Sequence, residues 1–168
     1  MQVMALIHKI FMDPDFETRV KFLSEIPVFQ GLHKHALGKL LGIMYAKTYL
    51  PDEVVFEEYE AGRALFIIES GEVAIIKSIT HSPGHTEDKI LARLGPGSFF
   101  GEMALLEELP RSATVKTTKD SVLHFVYKVK FDSFVEKHPG IGVKILHNLA
   151  KVLSSRLRET SDSYTKHL

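Results

Sequence analysis

The chain has no cysteine. Disulfides, thiolate nucleophiles and thiolate metal sites are excluded, and the composition agrees with a reducing, cytoplasmic setting. It also lacks an excess of either charge: 21 Lys and Arg balance 21 Asp and Glu. A surface for non-specific nucleic-acid binding is not expected, and no Lys/Arg run offers a local one. No apolar run approaches the roughly 20 residues that a membrane-spanning helix needs. Met1–Phe11 is apolar but holds His8 and Lys9. Without a basic leader or a small-residue cleavage site, it is expected to be a helix and not a signal peptide.

Catalytic signatures are missing too. There is no Gly-Lys-Ser/Thr phosphate loop and no Gly-x-Ser-x-Gly elbow. Gly95-Pro96-Gly97 is not a dinucleotide fingerprint, because Phe100 stands where the third glycine is required. The nine histidines include two close pairs, His33 with His35 and His81 with His85. No carboxylate or third histidine completes a ligand spacing, so no metal is expected and the histidines read as solvated loop and helix residues. With no nucleophile–base pair to assemble, no catalytic residue is assigned and an enzyme is not expected.

What is present suits one compact domain over residues 1–168, with 45% apolar residues and a substantial core. Residues 1–46 read as helices. Asp13 serves as N-cap with Pro14 at the first helical position, and Phe16, Val20 and Leu23 share a face. Ile26-Pro27-Val28-Phe29-Gln30-Gly31 breaks that helix, and Leu37, Leu40, Leu41 and Met44 mark a second. From Tyr45 to about Lys128 the period becomes two. Strands are expected around Val54–Phe56, Leu65–Ile68, Val73–Ile76, Ile90–Leu94, Ala113–Val115 and Val122–Val126, separated by Gly, Pro and Ser turns. Ser70-Gly71 reads as a tight hairpin turn and residues 81–88 as a mobile hairpin loop. Beyond His138-Pro139-Gly140, the residues Ile141, Ile145, Leu149, Val152, Leu153 and Leu157 form one stripe along a long helix. The whole is α+β and mainly β: about eight strands in a jelly-roll-like arrangement at 47–129, flanked by N-terminal helices and by C-terminal helices at 130–168.

One helix-like piece interrupts the strands: Phe100-Gly101-Glu102-Met103-Ala104-Leu105-Leu106, closed by Pro110-Arg111-Ser112-Ala113-Thr114-Val115. Gly101 lets a ligand approach the backbone. Arg111 can fork two hydrogen bonds to phosphate oxygens. Glu102 can accept from a sugar hydroxyl and would oppose Arg111 electrostatically. Two or three charge-assisted contacts of roughly 1.5–3 kcal/mol each, plus a buried base, reach the ~8 kcal/mol of micromolar binding. One arginine suits a monoanionic phosphate better than a triphosphate. An alternative is that Glu102 and Arg111 form only a structural ion pair, and Ser112 could cap the turn instead of meeting a ligand.

This segment, at 100–113, resembles the phosphate-binding cassette of cyclic nucleotide-binding domains, found in kinase regulatory subunits, gated channels and bacterial catabolite-activator proteins. Phe66–Val73 looks like the family's hairpin, Leu94–Phe99 like its approach to the cassette, and Ile26–Leu32 like its helical entry. The resemblance implies a β-roll and a sensor for cAMP or cGMP without a cofactor. It places Glu102 on the ribose 2′-hydroxyl and Arg111 on the cyclic phosphate. Gly101, Met103, Ala104, Ser112 and Ala113 fall where phosphate contacts are donated or shaped, and Ile75 and Leu91 where the base packs. Arg156, Thr160 and Ser161 fall on the lid helix that closes over the base. Ser112 fits both nucleotides. The chain departs from the family's habits at Pro51-Asp52-Glu53, at Tyr59 and at Gly62-Arg63.

Expected partners are the cyclic nucleotide, a protein effector of unknown kind and a second copy through the C-terminal helix, with no nucleic acid and no membrane span. Two alternatives stay open: a β-roll interaction module without ligand, and a sensor fragment of a catabolite-activator-type transcription factor, whose helix-turn-helix would have to follow Leu168.

Overall fold

The computed structural model describes residues 15–82 and 84–165. The expected helix at Met1–Phe11 and the Asp13-Pro14 start signal lie outside the described residues. The chain divides into two compact units, a helical one (1–42 and 133–168) and a β one (43–132).

In the helical unit, α1 (Phe16–Glu25) leads into a short 3-10 turn at Pro27–Phe29 and then α2 (Lys34–Leu41). The proline cannot extend α1, and the turn drives Val28 and Phe29 into the core beside Leu23 and Ile26. His33 starts α2 as its cap: its Nδ1 accepts from the Ala36 N–H at 3.1 Å. α4 (Lys128–Lys137) enters this unit from the β unit, and α5 (Pro139–Thr165) follows after one residue. Ile145 and Leu149 are fully buried on α5, and Asn148 between them donates to the carbonyls of Val28 and Gln30 at 3.2 and 2.8 Å. The buried stripe stops short of the expected one, since Leu157 is exposed.

The β unit holds eight strands: β1 (Tyr45–Tyr49), β2 (Val54–Phe56), β3 (Ala64–Ser70), β4 (Val73–Ser82), β5 (His85–Leu94), β6 (Phe99–Phe100), β7 (Thr114–Thr117) and β8 (Ser121–Tyr127), with α3 (Met103–Leu106) between β6 and β7. They form two four-stranded sheets in the orders β1-β8-β3-β6 and β2-β7-β4-β5. The β unit's core draws from both, with Tyr49, Phe66, Phe100 and Leu123 from the first and Phe56, Val73 and Val115 from the second. This is the expected α+β roll with flanking helices.

Three local expectations need correction. Ser70-Gly71 is not a hairpin turn: β3 belongs to one sheet and β4 to the other, so this link carries the chain between sheets. Gly71 is obligatory there, with φ +88° and room for no Cβ, which would lie 2.1 Å from Ser121 Oγ and 2.3 Å from the Asp120 carbonyl. Residues 81–88 are mostly strand and not loop, because β4 and β5 stay paired out to Ser82 and His85. His124 is not solvated; it is buried on β8 with its Nε2 2.6 Å from Glu69 Oε2.

Candidate functional site

The segment after β6 turns sharply at Gly101, where φ is +70°. A Cβ there would stand 2.7 Å from Arg111 Nη1 and 3.1 Å from the Ala64 carbonyl, so both conformation and space demand glycine. Glu102 follows, buried, and leads into the single turn α3. The amides of Ala104 and Leu105 close that turn on the carbonyls of Gly101 and Glu102. Ala104 thus spends its N–H within the turn and shapes the site by packing: a Cβ on Gly62 would lie 3.2 Å from its methyl group. Met103 faces solvent, as do Leu106 and Leu109.

Arg111 is buried, and its guanidinium partners are carbonyls and rings. Nη2 donates to the Ala64 carbonyl at 3.0 Å and Nη1 to the Gly101 carbonyl at 3.4 Å. The Phe56 ring lies 3.9 Å beneath Cζ, and Phe66 is 5.8 Å away. Nε is buried with no hydrogen-bond partner among the described residues. Burial pushes the guanidinium below its ordinary value, while the carboxylates of Glu60 and Glu102 oppose that shift. A buried cation whose charge is not fully answered is costly to keep unless an anion joins it.

The backbone beyond the side chain is held from outside. Arg111 N–H donates to the Glu60 carbonyl at 2.7 Å, and its own carbonyl accepts from Tyr59 N–H at 2.9 Å. The Ser112 carbonyl accepts from Lys77 Nζ at 2.8 Å, and Thr114 Oγ1 accepts from Glu58 N–H at 3.0 Å. Lys77 also pairs with the Glu58 carboxylate. Their hydrogen bond holds Glu58 below its usual range and Lys77 above it. Tyr59 has φ +70° although it is not glycine.

The structure therefore brings Gly101 and Arg111 into contact, with Ala113 buried and Ser112 exposed nearby in the chain. Ile75 packs half-buried against the β core, paired with Val115 and Ala92. Leu91 is the extra residue of a β-bulge, opposite the Ile75–Ile76 step, and is exposed. Arg156, Thr160 and Ser161 lie on α5 in the helical unit, where the two hydroxyls donate to the carbonyls of Arg156 and Leu157. Sequence reasoning missed Glu58, Lys77, Glu60 and Ala64. Two of these act through main-chain carbonyls, and Lys77 reaches Ser112 from a strand distant in sequence, so no local motif announces them. Among the described residues, no cluster of three His, Asp or Glu could hold a metal ion. No helix among them is long and apolar enough to cross a membrane.

The β unit is an eight-strand roll with a buried arginine held beside a one-turn helix. The family model for the cyclic nucleotide-binding domain matches residues 46–138, and the chain belongs to that family. Its relatives include the cyclic AMP receptor protein of Thermus thermophilus, 33% identical over 79% of this chain and 58% of that protein. Another is a cAMP-dependent protein kinase regulatory subunit of Yarrowia lipolytica, 36% identical over 64% of this chain and 28% of that one. The crystal structure of a cyclic nucleotide-binding domain from Methylobacillus flagellatus superimposes with a TM-score of 0.77, 22% identity and 95% coverage of both chains. The chain spans less than two thirds of the length of these two curated relatives.

Proposed function

We propose that this chain is a cyclic nucleotide sensor module that binds cAMP or cGMP and catalyses nothing itself. The observation that carries the reading is Arg111: a buried guanidinium, short of one partner at Nε among the described residues, beside a glycine that can bear no side chain. The cyclic phosphate would take up the charge of Arg111. Glu102 would accept from the ribose 2′-hydroxyl, while Gly101, Met103, Ala104, Ser112 and Ala113 shape the phosphate contacts. The base would rest along Ile75 and Leu91, with Arg156, Thr160 and Ser161 of α5 as the lid. Two of the relatives are named for cAMP, which favours that ligand, and the cysteine-free composition is compatible with a cytoplasmic place of action.

Closure of a lid can report the ligand only to the extent that the closed arrangement binds it more tightly. The test is calorimetric titration of the chain with cAMP and cGMP, with Arg111→Ala in parallel. Micromolar or tighter binding is expected for one of them. Arg111→Ala should lose about a hundredfold or more, since an unanswered buried charge costs roughly 3–5 kcal/mol. Undiminished binding in Arg111→Ala would remove the site from this segment.

A further inference from the structure

Arg111 reaches its pocket from a piece of backbone that is not yet strand, because β7 begins only at Thr114. The loop at 58–60 and Lys77 of β4 hold that piece. Lys77 is the node of the arrangement. Its ammonium donates to the Ser112 carbonyl, pairs with the nearly buried Glu58 carboxylate, and lies 5.7 Å from the centre of the Tyr59 ring. Glu58 is itself fixed at both ends, its N–H on Thr114 Oγ1 and its carboxylate accepting from Ser78 N–H at 3.4 Å.

The Ser112 carbonyl belongs to the peptide plane that carries the Ala113 N–H. In a planar trans peptide these two groups point in opposite directions. A cation clamped to the carbonyl therefore turns the Ala113 N–H away from Lys77. A neutral or mobile residue at 77 would leave the plane free to rock about its flanking torsions.

We propose that Lys77, anchored by Glu58, is a positioning residue for the phosphate site: it aims the Ala113 N–H at the anion that Arg111 holds, so the two donors address different phosphate oxygens. This rests on the cyclic nucleotide reading above. Lys77 touches no ligand atom; it acts through one peptide plane.

The test uses the chain with the cyclic nucleotide that binds more tightly and that nucleotide's two phosphorothioate diastereomers, in which one or the other exocyclic oxygen is sulfur. Two donors aimed at different oxygens make the protein discriminate between the diastereomers. Lys77→Met should weaken binding of the parent nucleotide about three- to tenfold, the worth of a lost hydrogen bond, and should also shrink the ratio between the diastereomers. Lys77→Arg, which keeps a charged donor, should preserve that ratio. A merely structural role would weaken both diastereomers equally, so an unchanged ratio in Lys77→Met overturns the proposal. If Lys77→Met does not fold, Glu58→Gln carries the same readout, because it releases the anchor and leaves the ammonium. A wild-type chain that binds neither cyclic nucleotide overturns the functional reading together with this inference; a wild-type chain that binds, with indifferent variants, overturns the inference alone.

Discussion

Arg111 and Lys77 flank the same short length of backbone, and their charges are met in opposite ways. Arg111 is buried on carbonyls and rings, with one nitrogen unsatisfied among the described residues. Lys77 is part-exposed, paired with a carboxylate, and gives its remaining capacity to a carbonyl. On the reading proposed above, the first arrangement would cost stability and keep capacity for a ligand. The second is complete in itself and stiffens the frame. If both proposals hold, a cation poised for a ligand and a cation used for support are told apart by what answers the charge, not by residue type or distance from the turn.

The contrast breaks most visibly in Arg111→Ala. Affinity should collapse, whereas the unliganded protein, measured by thermal unfolding, should lose far less than that binding energy because a costly buried charge has gone too. A loss of stability as large as the loss of binding energy would put Arg111 in the supporting class with Lys77. Next in size is Gly101→Ala. A left-handed alanine costs roughly 1–2 kcal/mol, and its Cβ would meet Arg111 Nη1 at 2.7 Å. About a tenfold or greater loss of affinity is expected by titration, with a smaller fall in melting temperature.

The supporting side is sharpened by pH. Glu58 sits below its usual value of 4.5, mainly through its hydrogen bond to Lys77. Its contribution is therefore complete above 4.5 and fades as pH falls through the lowered value. Lys77 sits above 10.5, so its share is complete below 10.5 and fades only as pH rises through the raised value. Glu72, lowered chiefly by its hydrogen bond from Thr118, adds to the acid limb. Glu58→Gln should flatten the acid limb of a melting-temperature profile without abolishing it, and a profile identical to wild type would count against the pair. The smallest effect is expected from Tyr59→Gly. Relief of the positive φ, offset by glycine's larger unfolded-state entropy and by loss of the ring beside Lys77, should change stability by no more than about 1 kcal/mol, roughly 2–4 °C or less.

Most of the roll was legible because its strands are short apolar runs between turn residues, and the turn at Gly101 because glycine, glutamate and arginine fall together there. What escaped was non-local. A glycine at 71 permits the positive φ found there, but no property of Ser70-Gly71 tells whether the next strand joins the same sheet. β6 is two residues long, too short for any periodicity. β1, Tyr-Ala-Lys-Thr-Tyr, is exposed along most of its length and carries no apolar alternation. Ile90 and Leu91 look like core residues and are exposed on the edge strand β5. Lys77 meets Ser112 only because β4 lies beside β7.

The sheet order has a consequence for the growing chain. Among the described residues β1 pairs with β8 alone, Tyr45 with Phe125 and Tyr49 with Ser121. On the ribosome, β1 emerges long before the strand that will cover its edge has been translated, and Arg111 emerges before it as well. Every nascent copy passes through a stage with Arg111 present and the roll unclosed, when chaperones and unwanted strand partners have their opportunity. Whatever ligand the site holds can stabilise the protein only once Ser121–Tyr127 has been made and has found β1 and β3.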